Sequence, residues 1–155
     1  MLAVLRFLYV LGLAVWVGEI VFFSFVTAPA LFGVLGAERA GPVLAVIFPR
    51  YYTIGFAAAS IALGAAVLLA RRGRGGAWWA GVQVALAVGL AATVWAGAVV
   101  HPRAQRLRLA AESARRAPGD DPAFQSAHRS AVGLNALALL AGLGAIAASA
   151  VALGE

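Results

Sequence analysis

Few side chains in this sequence can do chemistry, and most of those few sit inside long apolar runs. Glu19 is the only acid within such a run, LAVLRFLYVLGLAVWVGEIVFFSFV. A charge at that depth costs several kcal/mol, about 2.5–3.5 on insertion scales, so a Glu there faces protein or a water-filled cavity. It either fixes helix packing or handles a proton or cation. A second focus is Phe124, His128 and Asn135, at i, i+4 and i+11, which fall on one stripe of a helix. Below Asn135 the run ALALLAGLGAIAASAVAL is almost purely apolar. An amide about two turns inside such a helix has no water to bond and must find a protein partner.

His101 closes another apolar run just before Pro102, and Thr53 and Thr93 fall inside two further ones. Neutral imidazole is a common ligand of transition metals and haem, so His101 and His128 define one chemical reading, an axial or paired metal site. The plainer reading hydrogen-bonds His128 between the first and last helices and leaves His101 at the interface. No H-E-x-x-H or C-x-x-C-H motif supports the metal reading. With no cysteine, a thiolate site and a disulfide are both excluded.

The elements that position these residues follow from composition. Of 155 residues, 63% are hydrophobic and 12% charged, and the mean hydropathy is +0.93. Soluble domains average about 45–50% apolar, so this is the composition of an integral membrane protein. A net charge of +6 would suggest nucleic acid in a soluble chain. Here all twelve basic residues are Arg, mostly at helix ends and in loops, where anionic lipid headgroups are the natural counter-ions. The expected partners are therefore the bilayer and the anionic headgroups at the Arg-rich loop, with no nucleic acid. The pattern also allows a homo-oligomer.

The hydrophobic pattern predicts a single domain over 1–155, with spans at roughly 2–28, 49–70, 77–100 and 130–153. The first run exceeds the h-region of a signal peptide, about 7–15 residues, and no A-x-A site follows it, so it reads as a retained helix. Pro29 and Gly36 mark its exit, and the short Gly36–Gly41 connection makes the next helix antiparallel. Pro49 predicts a kink between an amphipathic lead-in and the second span. Arg50, Tyr51 and Tyr52 read as an interfacial belt, and Trp78 and Trp79 as anchors of the third span. Pro102 ends that span, after which RAQRLRLAAESARR forms a basic amphipathic helix lying on the headgroups. Asp121 suits the N-cap of the last helix. The fold class is all-α and integral to the membrane: an antiparallel bundle of four transmembrane helices with amphipathic extensions on one face.

Four spans place the 1–2 and 3–4 connections on one side, the loop face. Counting inward at 1.5 Å per residue, Glu19 lies roughly 9–14 Å deep, Asn135 about 6–10 Å, Thr93 about 12 Å and Thr53 about 5 Å. His128 and His101 lie at the surface of that face. One polar residue from each span thus converges on the loop-face half, which predicts a pocket lined by Glu19, Thr53, Thr93, His128 and Asn135. The other half predicts a dry seal, with close packing at Gly64, Gly81, Gly89, Gly142 and Gly144. The loop face carries Arg39, Arg50, Arg103, Arg106, Arg108, Arg115, Arg116 and Arg129, against Arg6, Arg71, Arg72 and Arg74 on the other. The positive-inside rule then puts the loop face in the cytoplasm.

The motifs Trp16-Val-Gly18, Phe22-Phe23-Ser-Phe25-Val26 and Pro29-Ala-Leu-Phe32 resemble the first-helix signature of the transmembrane protein 205-like family, known in bacteria as a DUF4149-type domain of unknown function. Ala40-Gly41 with Ile47-Phe48-Pro49-Arg50-Tyr51-Tyr52 resembles the start of its second helix. Pro102-Arg103 and Phe124-x3-His128-x6-Asn135 resemble its third and fourth elements. Glu19 departs from the family pattern, in which a small or uncharged polar residue is usual. The resemblance implies a four-helix protein of a bacterial inner membrane. Copper-resistance D-type and protoporphyrinogen-oxidase-type membrane proteins are similar in architecture, and that likeness implies a metal ion or haem as cofactor.

Two functions follow as expectations, with a purely structural membrane subunit as a third reading. The first is a non-enzymatic membrane protein that binds or passes a small solute or metal ion through the loop-face pocket. The second is a haem- or metal-dependent redox protein using His101, His128 or both.

Overall fold

The computed structural model describes residues 1–74 and 76–152, with backbone alone at 73, 74 and 152. Gly75 in the basic turn, the side chain of Arg74 and the expected end of the last span at Leu153 lie outside the described residues. The chain is helical, without a strand among the described residues. It runs through α1 (Leu2–Phe22), a π turn (Phe23–Thr27), α2 (Ala28–Leu69) and a second π turn (Ala70–Arg74). It continues through α3 (Ala77–Trp95), a third π turn (Ala96–Val100), α4 (His101–Ser113), a short 3-10 turn (Pro118–Asp120) and α5 (Pro122–Ala152). Three helical runs are long and apolar enough to cross a membrane: Leu2–Arg72, Ala77–Ser113 and Pro122–Val151. Their outer faces carry exposed apolar side chains such as Phe25 (67%), Leu140 (66%) and Val84 (63%), the surface a bilayer solvates.

The first run folds back on itself at Gly36. Its φ of 69° and ψ of 166° are the only non-helical pair inside α2, and glycine reaches them without a Cβ penalty. The two legs then pack closely. A Cβ at Gly12 would stand 2.7 Å from the Ala58 carbonyl oxygen and 3.1 Å from the Ala62 Cβ. The richest pairings are α1 with α2 and α3 with α5. Trp16, Trp79, Tyr9, Ile20, Leu69, Leu86 and Val82 are the large side chains buried completely between them.

Three prolines expected to end or kink a helix lie within helical runs that continue past them. The Ala28 N–H bonds the Phe23 carbonyl and the His101 N–H bonds the Ala96 carbonyl, each five residues back. The next residue is Pro29 in one case and Pro102 in the other. Proline lacks an N–H, and in a regular helix its ring meets the carbonyl four residues back. The wider π turn takes in one extra residue and relieves that clash, so the helix continues. The first helix therefore runs through Pro29 to Gly36 rather than stopping near 28. Pro42 and Pro49 stay inside α2, with helical backbone on both sides.

Continuity also changes α4. Where the sequence reading has a helix lying on the headgroups, α4 prolongs α3 and packs along α5, and its Arg108 lies against Gly41 in the second leg of α2. Arg108 braces it, bonding Gln105 (3.0 Å) and Glu112 (2.7 Å) and lying 3.4 Å from the Cβ position of Gly41. On α5, Asp121 caps the start as the sequence predicts, its Oδ1 accepting from the N–H of Ala123 (2.8 Å) and Phe124 (3.4 Å).

Candidate functional site

Glycines on three helices receive the side chains of the site. Glu19 lies with its carboxyl against Gly55 of α2, where a Cβ would collide with Oε1 and stand 3.4 Å from the Thr93 methyl of α3. Only a residue without a side chain lets a carboxyl rest at that three-helix junction. Trp16, one turn before Glu19, sends its ring into the place of a side chain at Gly89 of α3 and lies 3.7 Å from the Cβ position of Gly142 on α5. Tyr52 lies across Gly97, 2.8 Å from its Cβ position. Gly64, Gly81 and Gly144 have open space instead. Close packing at glycine thus holds for Gly89 and Gly142 among the expected positions, and adds Gly12, Gly55 and Gly97.

Asn135 joins the two pairs of helices. Its Nδ2 donates to the Ser24 hydroxyl at 3.0 Å, and its Oδ1 accepts from the Tyr51 hydroxyl at 2.6 Å. The protein partners that the buried amide needs are therefore Ser24 and Tyr51. An α-helical count puts Ser24 about 140° around from Glu19, and it is the π turn at Phe23–Thr27 that carries this residue. Thr93 is buried, its hydroxyl donating to the Gly89 carbonyl at 3.0 Å.

Between these groups is a cavity of about 10 Å³, lined by Trp16, Glu19, Ile20, Tyr51, Tyr52, Thr93, Ala96, Leu134, Asn135 and Ala138. That is the room of about one water molecule. Of the five residues expected to line a pocket, Glu19, Thr93 and Asn135 meet here. Thr53 is exposed, donating to the Pro49 carbonyl at 2.8 Å. His128 is also exposed, stacked on Phe124 at 6.4 Å. Both lie outside the cavity wall. Tyr51 and Tyr52, expected as an interfacial belt, instead turn inward and form part of that wall.

The free valences of the site are mostly acceptors. Among the described residues, no hydrogen bond and no ion pair reaches the Glu19 carboxyl. The Tyr51 and Thr93 hydroxyls have already spent their protons on Asn135 and Gly89. The Tyr52 hydroxyl, which has no hydrogen bond among the described residues, and the indole N–H of Trp16, buried without a partner, remain as donors. No basic side chain lines the cavity. An acceptor-rich space of this size suits a proton, a water or a small cation.

The terminal half is not the dry seal the sequence suggests. Tyr9 and Ser149 hydrogen-bond through their hydroxyls, and Trp79 packs edge-on against Tyr9 at 5.8 Å. Trp79 Nε1 and Arg6 Nε are buried there without partners. Of the two tryptophans expected as interface anchors, Trp78 is exposed and Trp79 is buried. The apolar seal is a thinner layer between the two clusters, made by Leu13, Ala62, Leu86 and Ala145, all buried.

The histidines have separate surroundings. His101 is partly buried, its ring 5.2 Å from Phe48 and 5.8 Å from Tyr52, while His128 is exposed with its ring against Phe124. Among the described residues no group of three or more His, Cys, Asp or Glu gathers as a metal site. Aromatic rings packed round one imidazole, and exposure of the other, do not fit a haem or a metal centre built on this pair.

A family model described as a domain of unknown function, DUF4149, matches residues 11–113. No curated protein and no solved structure matches the chain.

Proposed function

The chain belongs to the DUF4149 family of domains of unknown function, and on that premise we propose a four-span membrane protein that binds or passes one small species at Glu19. Its 1–155 form one antiparallel bundle. The first long run supplies two spans, since it reverses at Gly36 and its legs pack against each other. The runs Ala77–Ser113 and Pro122–Val151 supply the others. The membrane is a bacterial inner membrane with the loop face in the cytoplasm, where Arg39, Arg50, Arg103 and Arg106 are exposed to anionic headgroups.

One observation carries the functional reading: a carboxyl at a three-helix junction, without a protein partner among the described residues, beside room for one water-sized guest. Sites for drug-sized molecules run to about 300–1,000 Å³, so the solute is far smaller, a proton or a bare monovalent cation. A ligand that binds only the folded state stabilises it, by about 2.7 kcal/mol at a hundredfold excess over Kd. Unfolding of the nanodisc-embedded protein, followed across a pH series and in sodium, potassium or lithium chloride, tests this. The wild type is expected to change stability with at least one of these variables, and Glu19→Gln to lose that dependence while still folding. Identical profiles for the two proteins refute the assignment.

A further inference from the structure

We propose that the guest is the proton, held by the Glu19 carboxyl and exchanged with the loop-face aqueous phase alone, by way of Tyr52 and His101. This rests on the reading of Glu19 as the binding group and adds the ligand and its route.

Tyr52 belongs to two neighbourhoods at once. It forms part of the cavity wall beside Glu19, and its ring lies 5.8 Å from that of His101. The π turn Ala96–Val100 fixes this arrangement, because Gly97 receives the Tyr52 ring and His101 follows directly after the turn. His101 is itself half-exposed. Glu19, Tyr52 and His101 therefore form a file from the middle of the bundle toward the loop face. In the other direction the file stops at Trp16, which is completely buried in the slot left by Gly89 and Gly142. Beyond it come Leu13, Ala62, Leu86 and Ala145, and the next polar groups are Tyr9 and Ser149.

The size and charge of the site select the proton. A metal cation needs several oxygen ligands or its own waters, whereas about 10 Å³ admits a single water. A proton needs only the carboxylate and that water. The groups facing Glu19 are Tyr51 and Tyr52 from α2, Thr93 from α3 and Asn135 from α5, with His101 of α4 behind Tyr52. None is a fixed cation that would hold the carboxyl permanently ionised.

The transfer balances without a co-reactant. Hydronium at the loop face gives a proton to the His101 imidazole. The imidazolium passes one to the Tyr52 oxygen as the tyrosine's own proton moves to the cavity water, which protonates the carboxylate. One proton leaves the loop-face water, one carboxylate becomes a carboxylic acid, and nothing is oxidised or reduced. The reverse sequence returns the proton to the same side.

Infrared difference spectroscopy after a pH jump, on protein in nanodiscs, follows the carboxylic C=O stretch directly. The wild type is expected to show a band that grows as pH falls, needs no sodium or potassium, and is absent from Glu19→Gln. Tyr52→Phe and His101→Phe keep the aromatic packing, so the band should still titrate. Its appearance should slow by roughly 10²-fold, the low end for losing a positioned proton-transfer group. Tyr9→Phe, on the far side of Trp16, should leave the rate unchanged. Absence of any Glu19 band at every pH overturns the reading of Glu19 as the binding group. A band that appears only when sodium or potassium is changed overturns the proton. A normal band whose rate is unaltered in both Tyr52→Phe and His101→Phe, or is slowed by Tyr9→Phe, overturns the route alone.

Discussion

Gly89 and Gly144 look alike in the sequence, each flanked by apolar residues within a transmembrane run, yet a methyl added to them meets different things. At Gly89 the new Cβ would enter the Trp16 ring and stand 3.1 Å from the Ala141 Cβ, while at Gly144 it meets nothing within 4 Å. Glycine in a helix interior costs about 0.5–1 kcal/mol relative to alanine, so Gly144→Ala should be neutral or slightly stabilising. Forcing an extra carbon into a filled site costs about 1–3 kcal/mol, which exceeds that gain. Gly89→Ala should therefore lose about 1–2 kcal/mol, and its displaced indole should shift the tryptophan emission. Reversible unfolding in mixed micelles measures both variants, and equal stabilities would contradict the Trp16 slot. Asn135 shows the same scale of argument in polar form. Its amide has one partner on each side, Tyr51 and Ser24, so the bond that ties the helix pairs together is also what satisfies a buried group.

At the scale of elements, the π turns at Phe23–Thr27 and Ala96–Val100 decide what can be read from sequence. Counting along a helix gives depth whatever the rotation, which is why Glu19, Thr93 and Asn135 are placed at a common level by arithmetic alone. It does not give the neighbour that covers a residue. Thr53 and His128 have suitable depths, yet one faces outward from α2 and the other lies beyond the last contact of α5 with Ser24 and Tyr51. Ser24 carries no signal at 100° per residue, because the turn at Phe23–Thr27 departs from that pitch. The prolines mislead for a related reason: a rule that stops helices at proline has no term for a turn widened by one residue. The consequence is testable in α4. The run Ala77–Ser113 spans 37 residues, about 55 Å at 1.5 Å per residue, against a hydrocarbon core of about 30 Å. Its end should stand in water. Bimane on Leu109→Cys, the only thiol in a chain that has no cysteine, should be quenched by aqueous iodide and not by brominated lipid. Quenching by the lipid instead would restore the helix lying on the headgroups.

For the whole molecule, the packed pairs α1 with α2 and α3 with α5 leave unlike ends, and the difference bears on orientation. The loop end projects as α4 and the start of α5, with Arg103, Arg106, Arg115, Arg116 and Arg129 exposed on or beside them. The opposite end has fewer arginines, and one of them, Arg6, is partly buried with its Nε enclosed. A basic side chain withdrawn into the protein offers less charge to hold that end in the cytoplasm, which strengthens the bias that the positive-inside rule already gives. The internal chemistry is unlike end to end as well. On the proposed route Glu19 communicates with the loop face through Tyr52 and His101, whose rings lie 5.8 Å apart, while the buried Trp16 slot and the layer from Leu13 to Leu86 lie in the other direction. Orientation therefore fixes which compartment the carboxyl senses. A phosphatase reporter that folds only outside the cytoplasm, fused after Glu155, should be active, and the same reporter inserted between Ala117 and Pro118 should be silent. The reversed pattern would place the loop face outside and make Glu19 a group that samples the external pH.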